Sequence, residues 1–217
     1  RPWTLVEADD RLLAGLGRPR CGHLDVSGAP PFDHVSPVSS SPITCGTSGR
    51  TRGLFGQTDG SVVSHTGDVL SVENGSIEHL TCMVKGYVAT TDNGLAVGRT
   101  ETGEQCWSSE GAPVAAQTEA MEHEGASLLW LARAEGAGSS VHVWATNQGV
   151  MVASGTFPKV RSMDGTAERA VIGCEDGSVH VWDRTMLQRR LANQAAPSEG
   201  VDERTSALQA KLRALRR

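Results

Sequence analysis

The hydrophobic pattern of this chain repeats. Ser140-Val141-His142-Val143-Trp144 returns unchanged as Ser178-Val179-His180-Val181-Trp182, 38 residues further on. Each copy follows an apolar run and a glycine-containing turn. Leu128-Leu129-Trp130-Leu131-Ala132 leads through Gly136-Ala137-Gly138 to the first, and Ala170-Val171-Ile172-Gly173-Cys174 leads through Glu175-Asp176-Gly177 to the second. An apolar run, a tight turn and then alternating residues predict a β-hairpin. In the second copy the alternation puts Val179 and Val181 on one face of a strand and His180 and Trp182 on the other. Fainter copies lie upstream: Gly53-Leu54-Phe55-Gly56 before Asp59-Gly60, Tyr87-Val88-Ala89-Thr90 before Asp92-Asn93-Gly94, and Leu12-Leu13-Ala14-Gly15-Leu16 before Gly17. Taken as Gly17, Gly60, Gly94, Gly138 and Gly177, the turn glycines are spaced 43, 34, 44 and 39 residues apart. That interval is close to the ~40–45 residues of a repeating unit of four short strands.

Residues 170–183 (AVIGCEDGSVHVWD) resemble the most characteristic stretch of a WD40 repeat, a strand, an Asp-Gly turn and a second strand ending in Trp-Asp. The resemblance implies an all-β fold, a WD40-like β-propeller. It extends more faintly over 126–191. The complete ending, Trp182-Asp183, occurs once; the other copy ends Trp144-Ala145, and the upstream copies lack the tryptophan. The family's Gly-His dipeptide is also missing, the nearest histidine being His123 after Glu122. Of the family's buried Ser/Thr-His-Asp-Trp network, only Asp176 and Trp182 therefore carry over. Asp176, Gly177, Trp182, Asp183 and Trp144 are read as structural positions, since Asp can hold a tight turn and an indole N–H seeks a buried partner.

Two regions depart from the repeat. Residues 26–49 are rich in Ser, Pro and Gly and read as a long loop or linker. From about Pro197 the period changes: Val201, Thr205, Leu208, Leu212 and Leu215 follow alternating steps of 4 and 3, one face of a helix over about 200–216. Ser198 is its N-cap candidate, with Asp202 and Glu203 near its start and Arg213, Arg216 and Arg217 at its end. The stripe Val201, Leu208, Leu212 and Leu215 is a candidate partner-binding face, docking on another protein or on a propeller face. The expected organisation is a first blade over 1–25, a loop or linker over 26–49, blades over 50–191, then a linker and C-terminal helix over 192–217.

The composition, 38% hydrophobic and 21% charged with 25 glycines, suits an all-β protein rich in turns. No stretch approaches the ~18 apolar residues of a membrane span, so membrane insertion is not expected. Cys21, Cys45, Cys82, Cys106 and Cys174 are odd in number and scattered. That pattern fits free thiols in a reducing cytoplasm or nucleus better than a disulfide framework or a zinc site. Residues 1–183 carry 12 basic and 22 acidic side chains, and residues 184–217 carry 8 basic and 3 acidic. An acidic body with a basic tail leaves nucleic-acid contact to the tail alone.

No activated nucleophile, phosphate loop or metal motif stands out, and no cofactor is called for. Glu122-His123-Glu124 reads as a solvated loop, because adjacent side chains on a strand cannot converge on one ion. The resemblance implies a non-catalytic protein–protein interaction scaffold, a subunit of a larger multiprotein complex. The rivals are a propeller hydrolase or glycosidase, which the scarcity of aromatics disfavours, and a substrate receptor of a ubiquitin ligase, whose Trp-Asp-x-Arg ending is here Trp182-Asp183-Arg184-Thr185. The chain opens on Arg1 and reads as part of a longer product. Its five candidate blades are fewer than WD40 rings usually close with, so the expectation is missing blades upstream, completion of the propeller in trans by a partner, or a ring closed with five blades.

Overall fold

A computed structural model describes residues 2–8, 11–16, 21–24, 32–34, 41–49 and 52–195. They form five antiparallel sheets in chain order. The first holds β1 (Pro2–Ala8), β2 (Arg11–Leu16), β3 (Cys21–Leu24) and β4 (Phe32–His34), and the second β5 (Ile43–Ser48), β6 (Gly53–Gln57), β7 (Ser61–Ser64) and β8 (Val69–Val72). The third holds β9 (Ile77–Met83), β10 (Gly86–Thr91), β11 (Ala96–Arg99) and β12 (Gln105–Ser109), and the fourth β13 (Val114–His123), β14 (Ala126–Glu135), β15 (Gly138–Ala145) and β16 (Val150–Pro158). The fifth has three strands, β17 (Val160–Gly165), β18 (Arg169–Cys174) and β19 (Val179–Asp183), and the chain then turns into helix α1 (Arg184–Ala195). Every sheet is a simple up-and-down meander.

The first strands of successive sheets lie against one another: β1 on β5, β5 on β9, β9 on β13 and β13 on β17. Among the described residues, β17 and β1 share no packing of that extent, so the sheets form an open row. Polar side chains stitch the neighbouring first strands where ladder hydrogen bonds cannot reach. Ser48 Oγ accepts from the Glu7 N–H at 2.7 Å, and Thr47 Oγ1 accepts from the Cys82 N–H at 3.2 Å. The Gln117 amide donates to Thr81 Oγ1 at 3.0 Å and to the Val88 carbonyl at 3.2 Å.

The core lies between the sheets. Val6, Leu13, Ile43, Phe55 and Val63 join the first two. Leu54, Val62, Ile77, Leu80, Tyr87 and Ala89 join the second to the third. Val88, Ala96, Trp107, Val114, Leu129 and Leu131 join the third to the fourth, and a larger cluster around Trp130, Val141, Val143, Ala170 and Ile172 joins the fourth to the fifth. Each interior sheet is therefore buried on both faces, which removes a simple apolar–polar alternation from its strands.

The repeated turn is structurally exact in three sheets. Gly60, Gly94 and Gly177 have φ of +86°, +85° and +84°, a conformation that favours glycine. Their N–H groups donate to Gln57, Thr91 and Cys174 carbonyls at 3.2, 3.0 and 3.1 Å. In the fourth sheet the turn centres on Gly136 (φ +55°) and Ala137, while Gly138 opens β15 opposite Glu135, so the turn glycine is two residues earlier than expected. Gly17 lies outside the described residues.

Three further expectations are corrected. Residues 26–49 are not a continuous loop: they contain β4 and β5, and Ile43 is buried in the first interface. The first sheet runs past residue 25 to take in β4. Arg184 onward is helical where the fifth sheet would need its fourth strand. The helix expected over 200–216 lies outside the described residues.

Candidate protein-binding surfaces

The duplicated pentapeptide occupies equivalent places. β15 and β19 are the third strands of adjacent sheets. Leu129 pairs with Trp144 and Trp130 with Val143, as Ala170 pairs with Trp182 and Val171 with Val181. Trp144 faces the third sheet and stacks on Trp107, ring centroids 5.3 Å apart and planes 2° from parallel. Trp182 faces the fourth sheet, half-buried, with Trp130 at 6.0 Å, Phe157 at 6.5 Å and the Arg190 guanidinium 5.1 Å over its ring. Both tryptophans thus sit between blades.

Asp176 and Trp182 are not joined in one network. Asp176 is exposed, and its Oδ1 accepts from the Ser178 N–H at 2.9 Å and the Ser178 hydroxyl at 2.6 Å, clamping the turn that Gly177 completes. Those bonds, the hydroxyl first, hold its carboxyl below the usual range. Asp183 does something the sequence reading missed: its Oδ1 accepts from the Met186 N–H at 2.8 Å and from the Thr185 hydroxyl, which makes it the N-cap of α1. An Asp followed by Leu187 and Leu191 four residues apart was the available signal. Leu187 is buried in the core between the last two sheets.

A cavity of about 290 Å³ opens between the third and fourth sheets, lined by Met83, Val84, Tyr87, Arg99, Trp107 and Asn147 among others. It lies where the β9–β10 and β13–β14 hairpins come together, and Val84 stands 41% exposed at its edge beside the exposed Lys85. Its floor is fixed. Arg99 grips the buried Glu73 through Nε at 2.5 Å and Nη2 at 2.9 Å and donates to the Gly103 carbonyl at 2.8 Å. Trp107 fits over Gly98, where an added Cβ would lie 2.2 Å from the indole nitrogen. An apolar wall on rigid elements with a polar rim suits an inserted apolar side chain.

Among the described residues a second surface is uncovered, on the fifth sheet. Val179 and Val181 are 64% and 54% exposed. They share the outer face of the last sheet with Val171 and Gly173, their cross-strand partners. Val201, Leu208, Leu212 and Leu215 lie outside the described residues.

The chemistry around these surfaces is quiet. No group of three His, Cys, Asp or Glu among the described residues could hold a metal ion. Glu122 and His123 end β13 and Glu124 sits in the following turn with φ +51°, both glutamates exposed, so the segment is a hairpin tip. Cys45, Cys82, Cys106 and Cys174 are free thiols. Burial pushes the Cys45 thiol up to about 12 and the Cys82 thiol to about 11, which suppresses their nucleophilicity. No described helix is long and apolar enough to cross a membrane.

No protein-family model matches the chain, and no curated protein matches it in sequence. Solved structures do match in shape. BBS1N in complex with ARL6DN superposes with a TM-score of 0.64 at 15% identity, over 82% of this chain and 62% of that one. The computationally designed Ika8 protein gives 0.64 at 18% identity, over 82% of this chain and 57% of that one. BamB from Moraxella catarrhalis gives 0.64 at 18% identity, over 84% and 59%. These are β-propeller proteins. The fold of this chain is an incomplete β-propeller with a C-terminal helix. It spans about three-fifths of the length of those solved chains.

Proposed function

We propose that the chain is a non-catalytic protein–protein interaction scaffold, a WD40-like subunit of a larger multiprotein complex. The observation that carries this reading is the cavity between the third and fourth sheets, with exposed Val84 at its lip and the Trp107–Trp144 stack behind it. It takes an apolar side chain from a loop of a bound protein, while Lys85 at the rim favours an acidic neighbour on that loop. The BBS1N neighbour, solved in complex with ARL6DN, supports a propeller of this shape as a protein-binding platform. Residues 170–183 support WD40-type repeats. The free thiols favour a reducing compartment, cytoplasmic or nuclear.

The test compares three tagged forms of the chain in affinity capture with mass spectrometry: the parent, Val84→Asp, and Val69→Asp. Val69 is more open to solvent than Val84 and lies on β8, away from the cavity. The reading expects a reproducible set of proteins that Val84→Asp loses and Val69→Asp retains. A set unchanged by Val84→Asp removes the cavity as the binding site, and no set above background in the parent removes the scaffold reading.

A further inference from the structure

The two copies of Ser-Val-His-Val-Trp are an internal control on what the end of the row lacks. Val141 and Val143 are 2% and 3% exposed because the fifth sheet covers them. Val179 and Val181 hold the same places in the fifth sheet and face the same way along the row, yet nothing among the described residues covers them. The outer face of the last sheet has the make-up of a covered interface.

We infer that residues 198–217 of this same chain cover it, laying the Val201/Leu208/Leu212/Leu215 stripe as a helix across Val171, Val179 and Val181. The inference does not depend on the scaffold reading. Four considerations favour this occupant. The first is width: three strands make a face only about 14 Å across, which a helix about 10 Å in diameter covers. The second is reach. α1 packs on the inner side of the last sheet, with Leu187 in the core and Arg190 over Trp182. Residues 196–200 extend up to about 17 Å, enough to pass round the free edge of β19. A helix over 201–216 is then about 24 Å long, longer than the face needs.

The third consideration is charge. The last sheet and its turns, residues 159–183, carry Lys159, Arg161 and Arg169 against Asp164, Glu168, Glu175, Asp176 and Asp183. Residues 198–217 carry Arg204, Lys211, Arg213, Arg216 and Arg217 against Glu199, Asp202 and Glu203, a net charge of opposite sign. A net-positive segment meets a net-negative sheet. The fourth is helix stability, since a single-faced helix of this length is marginal in water unless its stripe is buried.

The experiment measures access to the covered face directly. The thiol introduced by Val179→Cys is labelled with a maleimide, and the rate at that position is read by peptide mass spectrometry against the native cysteines. It is measured in the full chain with and without Leu208→Asp/Leu212→Asp, substitutions in the tail that leave the blades intact. Labelling at least tenfold faster with the two aspartates is expected. Val69→Cys, carried through the same comparison, should label at one rate in both. Hydrogen exchange over 171–181 in chains that keep Val179 should show the same loss of protection. Equal rapid labelling in both backgrounds overturns the inference. So does slow labelling in both, which would give the face to another occupant; slowing that deepens with protein concentration would identify it as a second copy, and slowing only after a captured protein is added would identify completion in trans.

Discussion

Arg133 offers the sharpest test of how adjacent blades are joined. It lies on β14, only 3% exposed. Its Nη1 donates to the Gly94 and Ala112 carbonyls, both at 2.7 Å, and its Nη2 to the Ser109 carbonyl at 3.1 Å. One guanidinium thus ties the β10–β11 turn, the end of β12 and the link between two sheets. Among the described residues no carboxylate is bonded to it, and burial pulls its pKa below the usual arginine value. Charge-assisted hydrogen bonds contribute about 1.5–3 kcal/mol each, and dehydrating the cation offsets several kcal/mol of the sum. Arg133→Met removes the donors together with that dehydration term but strands the buried Gly94 carbonyl at a cost of about 1–3 kcal/mol. The expected net loss is about 3 kcal/mol for Met. Arg133→Lys, whose point charge reaches fewer of the three carbonyls, should lose about 1–2 kcal/mol. Urea titration followed by tryptophan emission reads this, because two of the five tryptophans, Trp107 and Trp144, flank the same junction. A Met variant within about 0.5 kcal/mol of the parent would show that water serves those carbonyls and that Arg133 does not hold the blades together.

Two further outcomes follow from the same interfaces. Gly98→Ala drives a methyl group into the Trp107 indole, so it should cost about 1–3 kcal/mol and weaken the near-ultraviolet circular dichroism of the Trp107–Trp144 stack. His79 and His142 both have pKa values lowered by burial, His79 with a ring nitrogen 3.1 Å from the Val114 carbonyl. The unfolded chain therefore binds protons that the folded chain refuses, so stability should be full above pH about 6.5 and fall as pH drops below it; a His79→Gln chain should show a shallower fall in the same urea titrations.

How much of this was legible depended on which strand of a blade a residue occupies. The second and third strands were plain, because runs such as Leu128-Leu129-Trp130-Leu131-Ala132 lie between two sheets and must be apolar. The first strands were not. β5 reads Ile-Thr-Cys-Gly-Thr-Ser, a loop-like composition, because first strands crowd together and join through Thr44, Thr47 and Ser48 side chains rather than through bulk. Fourth strands at the rim, such as β16 with its mostly exposed and half-buried pattern, carry little apolar signal either. The inter-blade cavity was also out of reach. Val84, Trp107 and Asn147 are far apart in sequence, and only the packing of the third sheet on the fourth brings them to one opening.

What sequence could not carry at all is position in the row. Ser140 to Trp144 and Ser178 to Trp182 are the same five residues in the same kind of strand with the same pairing. Their local propensities are equal, and both tryptophans pack back on the preceding sheet. Yet one pair of valines is buried and the other faces outward. The difference is supplied by the next unit, since in a row of repeats each interface belongs to two neighbours and the last described unit shows only one. The fifth sheet also departs from the repeat where its neighbour would begin: Asp183 caps a helix, and Leu187 turns that helix back into the core instead of continuing as a fourth strand. The blade sequence therefore specifies a surface built to be covered.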